Sequence, residues 1–596
     1  MIKNYKWDII FLIFITIVFE TLFALFSKYY ISLKSIFIDV GREAYFPELI
    51  LNGKLLYKDL FNIFGPLAYQ VNAVLYKIFG CKMSTLGIAG NFCSVCILYF
   101  TYFISKLFLG KNISFFITLF VLVACVFSPS LFNFIYPYSY SLLYAYTSFM
   151  GAVLFFLLAF EIKNKQGNYD LFLFLSFFFA GISLSAKIEY SPFILLLVIF
   201  NVFVLKQSLL KMILNFAGFL LCPIMTYGYL LYQGVTVDDF INNFIYLKKY
   251  VSSKSLHYFY AHNTGAIFSL DLFLKQIKLL PLVTGYAFVV VYCLSYYVAA
   301  CSTKLQNFNT KYLVIILGLL LATLIDYQQL FLFIPYIIYG ILIYKIVTCI
   351  ICKDFCIKSD VFFALILITI ISVLKTAFLL NIKMYGSFAL ALPIIIIFVF
   401  VKNNLLKSNL NFSQKDTDIL LSSLLVILTL ACVPATYNYI SGKTSSINTE
   451  KVVFYTSFYT AKPIRETFEY ISNIPKNKSI LVLPEGVFIN YATDRDSKLY
   501  NYQSLMPPYI DTFGVDNIIN DIKNTKIDYI LFVPRASDEY GGGLAMCKFD
   551  VYGDVSATNR DEEKKLCKFI DNNYSLVKAI DKILFFKLKK IKQINI

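Results

Sequence analysis

Charge is what this chain has least of. Aspartate, glutamate, lysine and arginine make up 15% of its 596 residues, against about a quarter in soluble globular proteins, so an ordinary water-soluble composition is excluded. Arginine is scarcer still: Arg42, Arg465, Arg495, Arg535 and Arg560 are the five present among 53 basic residues. Histidine occurs twice, at His257 and His262. Five residues apart, even with Asp271, they make a weak candidate for a metal site, because helical ligand pairs sit four apart. Cys349, Cys352 and Cys356 have a suggestive spacing but no histidine nearby. A phosphate loop is missing too, since Gly541 to Gly543 is not followed by Lys-Ser/Thr and a helix start. Internal repeats are absent, and with them the two related halves expected of a transporter or flippase.

Apolar residues fill the space. The chain is 59% hydrophobic and 18% aromatic with a mean hydropathy of +0.70. Runs of roughly 17–25 apolar residues are long enough to cross a bilayer, and about thirteen precede a change of composition near Tyr437. The first, Ile9 to Phe26, has no small-residue cleavage site and is expected to stay in place as a span. The turns that alternate from Lys3 and Lys6 onward are lysine-rich, which places them in the cytoplasm. An odd number of spans then puts residues 438–596 outside, in an inner or plasma membrane protein of bacterial type. The formal charge of +17 is accounted for by this asymmetry and a basic tail, not by a nucleic-acid partner.

Residues 438–596 read as a small α/β domain in which helices alternate with apolar strands. The expected helices are "TAKPIRETFEYISN", "VDNIINDIKN" and "EEKKLCKFIDNN"; the expected strands are "KSILVLPEG", "KIDYILFVPR" and two from "YSLVKAIDKILFFKLKK". With no linker before it, this domain is expected to pack directly on residues 1–437. Cys547 and Cys567 lie in it and are candidates for a disulfide in an oxidising compartment. Glu485 and Asn490, after the first strand, are candidates for an exposed acceptor-side surface, with packing or turn formation the favoured alternative.

The loop of residues 27–83 stands out. It holds Asp39, Arg42, Glu43 and Asp59, and Arg42 is the only arginine before residue 438. Lysine serves the charge asymmetry elsewhere, so a planar bidentate donor here points to an anion of fixed geometry such as a phosphate, or to a staple on Asp39 or Glu43. A helix starting near Phe37 puts Asp39, Arg42 and Glu43 on one face. "PELILNGKLLY" and "PLAYQVNAVLYKIFG" are amphipathic and too short to span, and are expected to lie in the membrane interface.

These features together resemble a family. Asp39-x-x-Arg42-x-x-Tyr45, then "PELILNGKLLYKD" and an aromatic-Gly-Pro-Leu before an amphipathic helix, are similar to the first external loop of polyprenyl-phosphate-dependent glycosyltransferases of the GT-C superfamily, such as protein mannosyltransferases. The resemblance is to this loop; the many spans and the external domain are similar in plan. It implies a GT-C-like α-helical membrane protein that moves a sugar from a polyprenyl-phosphate donor to an extracytoplasmic acceptor. It implies Asp39 as general base, with Glu43 or Asp59 as a second acid, and Arg42 at the donor phosphate. Family members often carry Lys-Pro where this chain has Gly65-Pro66. Lys187, Lys375 and Lys383 are the candidates to supply that charge, against the alternative that each merely snorkels to the interface. No nucleotide or resident cofactor is implied, and a divalent ion is left open.

Tyr45, Tyr136, Tyr138 and Tyr385 are candidates for contact with sugar, with an interfacial aromatic belt as the alternative for the tyrosines of "IYPYSY". Glu20, inside the first span, is a functional candidate by location or a partner for a neighbouring helix. A lipid-linked glycan polymerase or ligase would share the donor, but would place key basic residues in later loops, and those loops contain no arginine.

Overall fold

A computed structural model describes residues 2–31, 39–281, 285, 329, 331–351, 360–407, 413–533, 540, 547 and 561–589. Among them, six helices are long and apolar enough to cross a membrane. These are α1 (Ile2–Tyr30), α4 (Met83–Leu109), α6 (Tyr140–Asn164), α9 (Leu209–Tyr232), α11 (Ile334–Ile351) and α14 (Gln414–Ser441). Shorter apolar helices fill the bundle between them: α5 (Lys111–Val121), α7 (Asp170–Ala186), α8 (Pro192–Ile199), α12 (Val361–Val373) and α13 (Ala391–Lys407). The expected thirteen uniform spans are therefore a mixture of lengths. α5 and α8 each run into a π-helical turn, Leu122–Val126 and Phe200–Val204, which a count of apolar residues cannot register. Most of two expected spans and the lysine-rich turn between them, residues 286–328, lie outside the described residues.

α7 packs against α6 and α9 through small residues. At Gly181 a Cβ would come within 2.0 Å of the Phe219 carbonyl oxygen, so the α7 and α9 backbones touch there. Ser176 and Ser183 donate to the carbonyls of Ala152 and Ala145 on α6. Where lipid is as apolar as leucine, such close approach and interhelical hydrogen bonding are what hold helices together.

The loop after α1 folds into α2 (Gly41–Leu51) and α3 (Leu67–Phe79). α3 is amphipathic as expected, with Val74 and Ile78 exposed and Tyr69, Asn72 and Tyr76 buried. α2 departs from expectation. Nearly every residue from Gly41 to Pro47 is buried, because α2 is covered by α3 on one side and by α16 (Val487–Thr493) of the C-terminal region on the other. A surface helix at a lipid interface would leave one face open; this one is the filling between two bodies.

That C-terminal region starts where α14 ends at Ser441. A two-stranded ribbon, β1 (Ser445–Asn448) and β2 (Val453–Thr456), comes first. The four-stranded sheet has the order β3 (Ile480–Leu483), β4 (Tyr529–Phe532), β6 (Ile583–Leu588), β5 (Tyr574–Ile580). β3 and β4 are parallel, and the other pairs antiparallel. The three expected helices and four expected strands are present; the ribbon and two short helices, Val487–Thr493 and Pro507–Phe513, are additional. Cys547 and Cys567 form a disulfide. The region docks directly: Tyr455 stacks on Tyr29 of α1 at 4.5 Å between ring centroids, and Val487, Phe488 and Tyr491 join the core of the bundle.

The α7–α9 contact gives a test of the packing. Gly181→Val should force the two helices apart and lower the unfolding temperature in detergent by the equivalent of about 1–3 kcal/mol. Gly228→Val on α9, where a Cβ meets nothing within 4 Å, should leave it unchanged. Equal effects of the two variants would contradict the packing.

Candidate active site

The arginine near the start of α2 is buried in a network of acids and aromatic rings. Arg42 Nη1 pairs with Asp39 at 3.1 Å, and its Nη2 and Nε each reach Glu43 Oε1 at 3.3 Å. Nε also donates to Tyr69 Oη at 3.2 Å, and that hydroxyl donates to Glu43 Oε1 at 2.8 Å. The second oxygen of Glu43 accepts from the Tyr140 backbone N–H at 2.7 Å. Glu43 has no exposure at all, so these donors replace its water. Burial pushes its carboxyl up in pKa, with Arg42, Tyr69 and the Tyr140 amide pulling it back. Asp39, three residues before Arg42, keeps 30% of its side chain exposed.

Two lysines join from other segments. Lys187 follows the last turn of α7 and is buried, with Glu189 at 2.9 Å and Tyr138 Oη at 2.7 Å. Lys375 pairs with the same Glu189 carboxylate. Phe64 lies between the two halves of the site, with the Arg42 guanidinium 5.2 Å and Lys187 Nζ 4.5 Å from its ring centroid. Tyr385 completes the wall: Lys375 Nζ lies 4.1 Å and Lys187 Nζ 5.8 Å from its ring centroid, and its ring meets that of Tyr138 at 5.4 Å. Desolvation, reinforced by the charges of Lys375 and Arg42 and only partly offset by Glu189, pushes the Lys187 ammonium down to about 7. Tyr509 of the C-terminal region reaches Arg42 and packs on Tyr250 with ring centroids 5.1 Å apart.

Gly65 explains how Lys187 comes to be here. Its N–H donates to the Ala186 carbonyl at 3.0 Å, and a Cβ on it would lie 2.0 Å from the Ser185 carbonyl oxygen. The loop before α3 is thus pressed onto the end of α7 one residue before the lysine. The Gly65-Pro66 pair that lacks a lysine docks against a helix end that carries one.

Below this cluster lies an apolar cavity of about 760 Å³, lined by Leu67, Val71 and Leu75 of α3, Phe92 and Phe100 of α4, Phe178 and Ile182 of α7 and Met225 of α9. Ile182 precedes Lys187 by five residues, about 7 Å along a helix at 1.5 Å per residue. Leu67 is three residues from Phe64. Two of the groove's lining residues thus lie within a turn or two, along the chain, of residues of the cationic cluster, whose own side chains do not line the groove.

The site thus gathers Asp39, Arg42, Glu43, Lys187, Lys375, Tyr138 and Tyr385. The other candidates lie elsewhere or have other partners. Asp59 accepts from the Leu55 N–H at 2.8 Å and staples the loop after α2. Lys383 is exposed and makes no ion pair among the described residues. Tyr45 turns the other way, its hydroxyl 3.4 Å from the Arg495 carbonyl. Tyr136 is neither at the site nor in an exposed belt: it is buried against Gly87 of α4, and Tyr138 is buried at the cluster. Glu20 accepts from Asn91 Nδ2 at 2.9 Å, pairing α1 with α4. Glu485 and Asn490 are buried, taken up by Ser504 and the Ile480 carbonyl. His262 stacks on Tyr258 at 4.1 Å, and no group of three potential metal ligands occurs among the described residues. Cys349 is a free thiol, while Cys352 and Cys356 lie outside the described residues.

Sequence reasoning passed over Glu189, Tyr69, Phe64 and Tyr509. Glu189 was within reach, two residues from Lys187 in "SAKIEY"; Tyr509 has no local signal, since only tertiary folding brings it to Arg42.

The class this defines is a helical membrane protein with a buried cationic cluster and an apolar groove. No family model matches the chain, and no curated protein matches it. Among solved structures, the chain is similar to ArnT from Cupriavidus metallidurans bound to undecaprenyl phosphate, at 10% identity and a TM-score of 0.42 over 98% of both chains. For the apo state of that protein the values are 11% and 0.44, over 96% of this chain and 97% of that one. The archaeal oligosaccharyltransferase AglB from Archaeoglobus fulgidus, in complex with an inhibitory peptide and a dolichol-phosphate, is similar at 11% identity and 0.38, over 89% of this chain and 69% of that one. Likeness at this level is one of overall plan, and no residue role is taken from it.

The buried pair can be tested directly. Glu43→Ala should leave Arg42 poorly compensated and cost about 3–5 kcal/mol, the usual penalty for breaking a buried ion pair from one side, read as a large fall in unfolding temperature. Asp39→Ala, at the open edge, should cost at most about 1 kcal/mol. A Glu43 variant as stable as Asp39→Ala would contradict the network.

Proposed function

We propose that this protein is a membrane glycosyltransferase that moves a sugar from a polyprenyl-phosphate donor to an acceptor on the extracytoplasmic side, with the C-terminal region on that side. The observation that carries this reading is the convergence of Arg42, Lys187 and Lys375 in one buried cluster, together with an apolar groove lined by neighbouring turns of α3 and α7. A long isoprenoid suits the groove and a phosphate suits the cations.

The chemistry is a single displacement. The acceptor hydroxyl oxygen attacks the anomeric carbon as the bond from that carbon to the phosphate oxygen breaks. The electron pair leaves with the polyprenyl phosphate, and the hydroxyl proton passes to a base. Arg42 and Lys187 stabilise the negative charge developing on the leaving oxygen. Asp39 is the acid assigned to take the proton. It alone of the four loop acids combines exposure with contact to Arg42: Glu43 is saturated inside, Glu48 pairs with Lys451, and Asp59 is spent on a turn. Displacement from the face opposite the phosphate inverts the anomeric centre.

Transfer of labelled sugar from an undecaprenyl-phosphate donor, in membranes carrying the wild type or Asp39→Asn at matched expression, tests the assignment. The variant should lose about 10²–10⁴ in rate; full transfer by it would take Asp39 out of the chemistry, and no transfer by the wild type from any polyprenyl donor would overturn the function.

The Lys187 ammonium gives a second test. Its pKa near 7 means that it is charged below that pH and increasingly neutral above it. A phosphodiester-linked sugar donor, whose phosphate keeps one charge throughout, should bind more weakly as pH rises from 6.5 to 8.5, by up to about tenfold per unit above 7. Lys187→Gln should bind weakly and without this slope. A slope unchanged in Lys187→Gln would contradict the assignment.

A further inference from the structure

Beyond α9 the chain forms two helices with faces that the rest of the protein leaves open. α9 ends at Tyr232, and Gly234, at a φ of 96°, turns the backbone toward α10 (Val237–Val251), which Thr236 and Asp239 start with a capping box. A shorter helix, Leu270–Ile277, follows. Each divides its circumference into three sectors. On α10, Asn243 is buried and exchanges hydrogen bonds of 3.0 and 2.8 Å with the Asn62 backbone, while Tyr246 packs nearby on Phe513 at 5.3 Å between ring centroids. About a third of the way round, Val237, Ile241, Phe244 and Val251 make a stripe at helical spacing, each at least 50% exposed. Asp238, Asn242 and Lys249 take the third side and are exposed. The shorter helix repeats this order in the same rotational sense: Gln276 is buried, Leu270, Leu274 and Ile277 form an exposed stripe, and Asp271, Lys275 and the following Lys278 lie beyond it.

A surface helix in water needs two sectors, one toward the core and one toward solvent. Three are needed where a helix lies along the flank of a membrane protein, with protein on one side, hydrocarbon beneath and water above. The stripe also continues a surface that meets lipid already. Leu221, Ile224, Met225 and Leu231 of the span α9 are exposed, and Phe240 of α10 packs back on Tyr227 of α9 at 6.0 Å between ring centroids. Charge points the same way. Asp239 is spent in the capping box, and Asp271 faces Lys275 at 3.8 Å. Lys248, which sits within the stripe of α10, and Lys249, Lys254 and Lys278 are exposed and make no ion pair among the described residues. Lysines so placed can lay their stems along hydrocarbon and raise their ammonium groups to lipid phosphates.

We infer that α10 and the helix Leu270–Ile277 are seated in the leaflet on the side of the C-terminal region, with their lysines on the head groups of anionic phospholipid. The inference is independent of the glycosyltransferase reading. It gives the bilayer a hold on the site, because α10 carries Tyr250, Tyr250 packs on Tyr509, and Tyr509 reaches Arg42.

Fluorescence quenching in the full chain tests this seat. Trp7 is the only tryptophan, so Trp7→Phe gives a background without one. Phe244→Trp and Leu274→Trp then probe the two stripes, and Asn242→Trp and Lys275→Trp the polar sides; all four positions are exposed, so the core is left alone. The chain would be reconstituted in vesicles of phosphatidylcholine and phosphatidylglycerol, with one lipid or the other brominated on its acyl chains at equal mole fraction. The stripe variants should lose most of their fluorescence to brominated lipid and be shielded from aqueous acrylamide, and the polar-side variants should do the reverse. Brominated phosphatidylglycerol should quench Phe244→Trp more than brominated phosphatidylcholine does, and adding Lys248→Gln and Lys249→Gln should abolish that excess. Stripe variants open to acrylamide would put the helices in water, and stripe variants shielded from both quenchers would put a protein partner or a second copy on them; either result overturns the seat. Equal quenching by the two brominated lipids with the lysines intact would overturn the anionic head group.

Discussion

A fully buried carboxylate organises this molecule. Glu43 has no water, so its oxygens must be met by protein donors, and the donors come from three places: Arg42 on the same helix, Tyr69 on α3 and the Tyr140 backbone at the start of α6. Satisfying Glu43 therefore fixes α2 against the bundle and holds the guanidinium in one orientation. An arginine left to solvent would sample many rotamers; this one is aimed before any ligand arrives, which is what preorganised charge stabilisation requires. The cost of burying the pair is recovered in specificity of position rather than in stability.

The same logic extends to the lysines. Glu189 holds Lys187 and Lys375 together, and Gly65 clamps the loop before α3 onto the helix end that precedes Lys187. Three cations from distant parts of the chain thereby converge, each with an acid beside it, and the assembly is neutral as it stands. An anion arriving there meets donors that are already oriented, and it would favour the charged form of Lys187, which burial depresses. Tyr509 of the C-terminal region reaches Arg42 in the same cluster, and turns of α3 and α7 adjoining it in the chain line the apolar groove.

Much of this was legible in the sequence, and the reasons for success and failure are physical. Arg42 stood out because lysine does all other electrostatic work before residue 438. The helices of the C-terminal region follow the 3.6 period of their apolar residues, and β3 and β4 are short continuous apolar runs buried on both faces. The burial of α2 was not legible: its amphipathic pattern is the same whether its second face meets lipid, water or another domain. The fate of Asp59, Tyr45 and Tyr136 likewise depends on which way a turn faces, and single-residue composition carries no such information. Glu189 marks the middle ground, a partner visible beside Lys187 but passed over because attention went to cations alone.

The most direct test of the central claim is a structure of the full chain in nanodiscs with undecaprenyl phosphate bound. The account predicts the phosphate within hydrogen-bond reach of Arg42 and Lys187, about 3 Å between heavy atoms, with the isoprenoid running past Leu67 and Ile182 into the groove. A phosphate bound elsewhere, or a chain that leaves the groove empty while the head group sits on surface lysines, would contradict it.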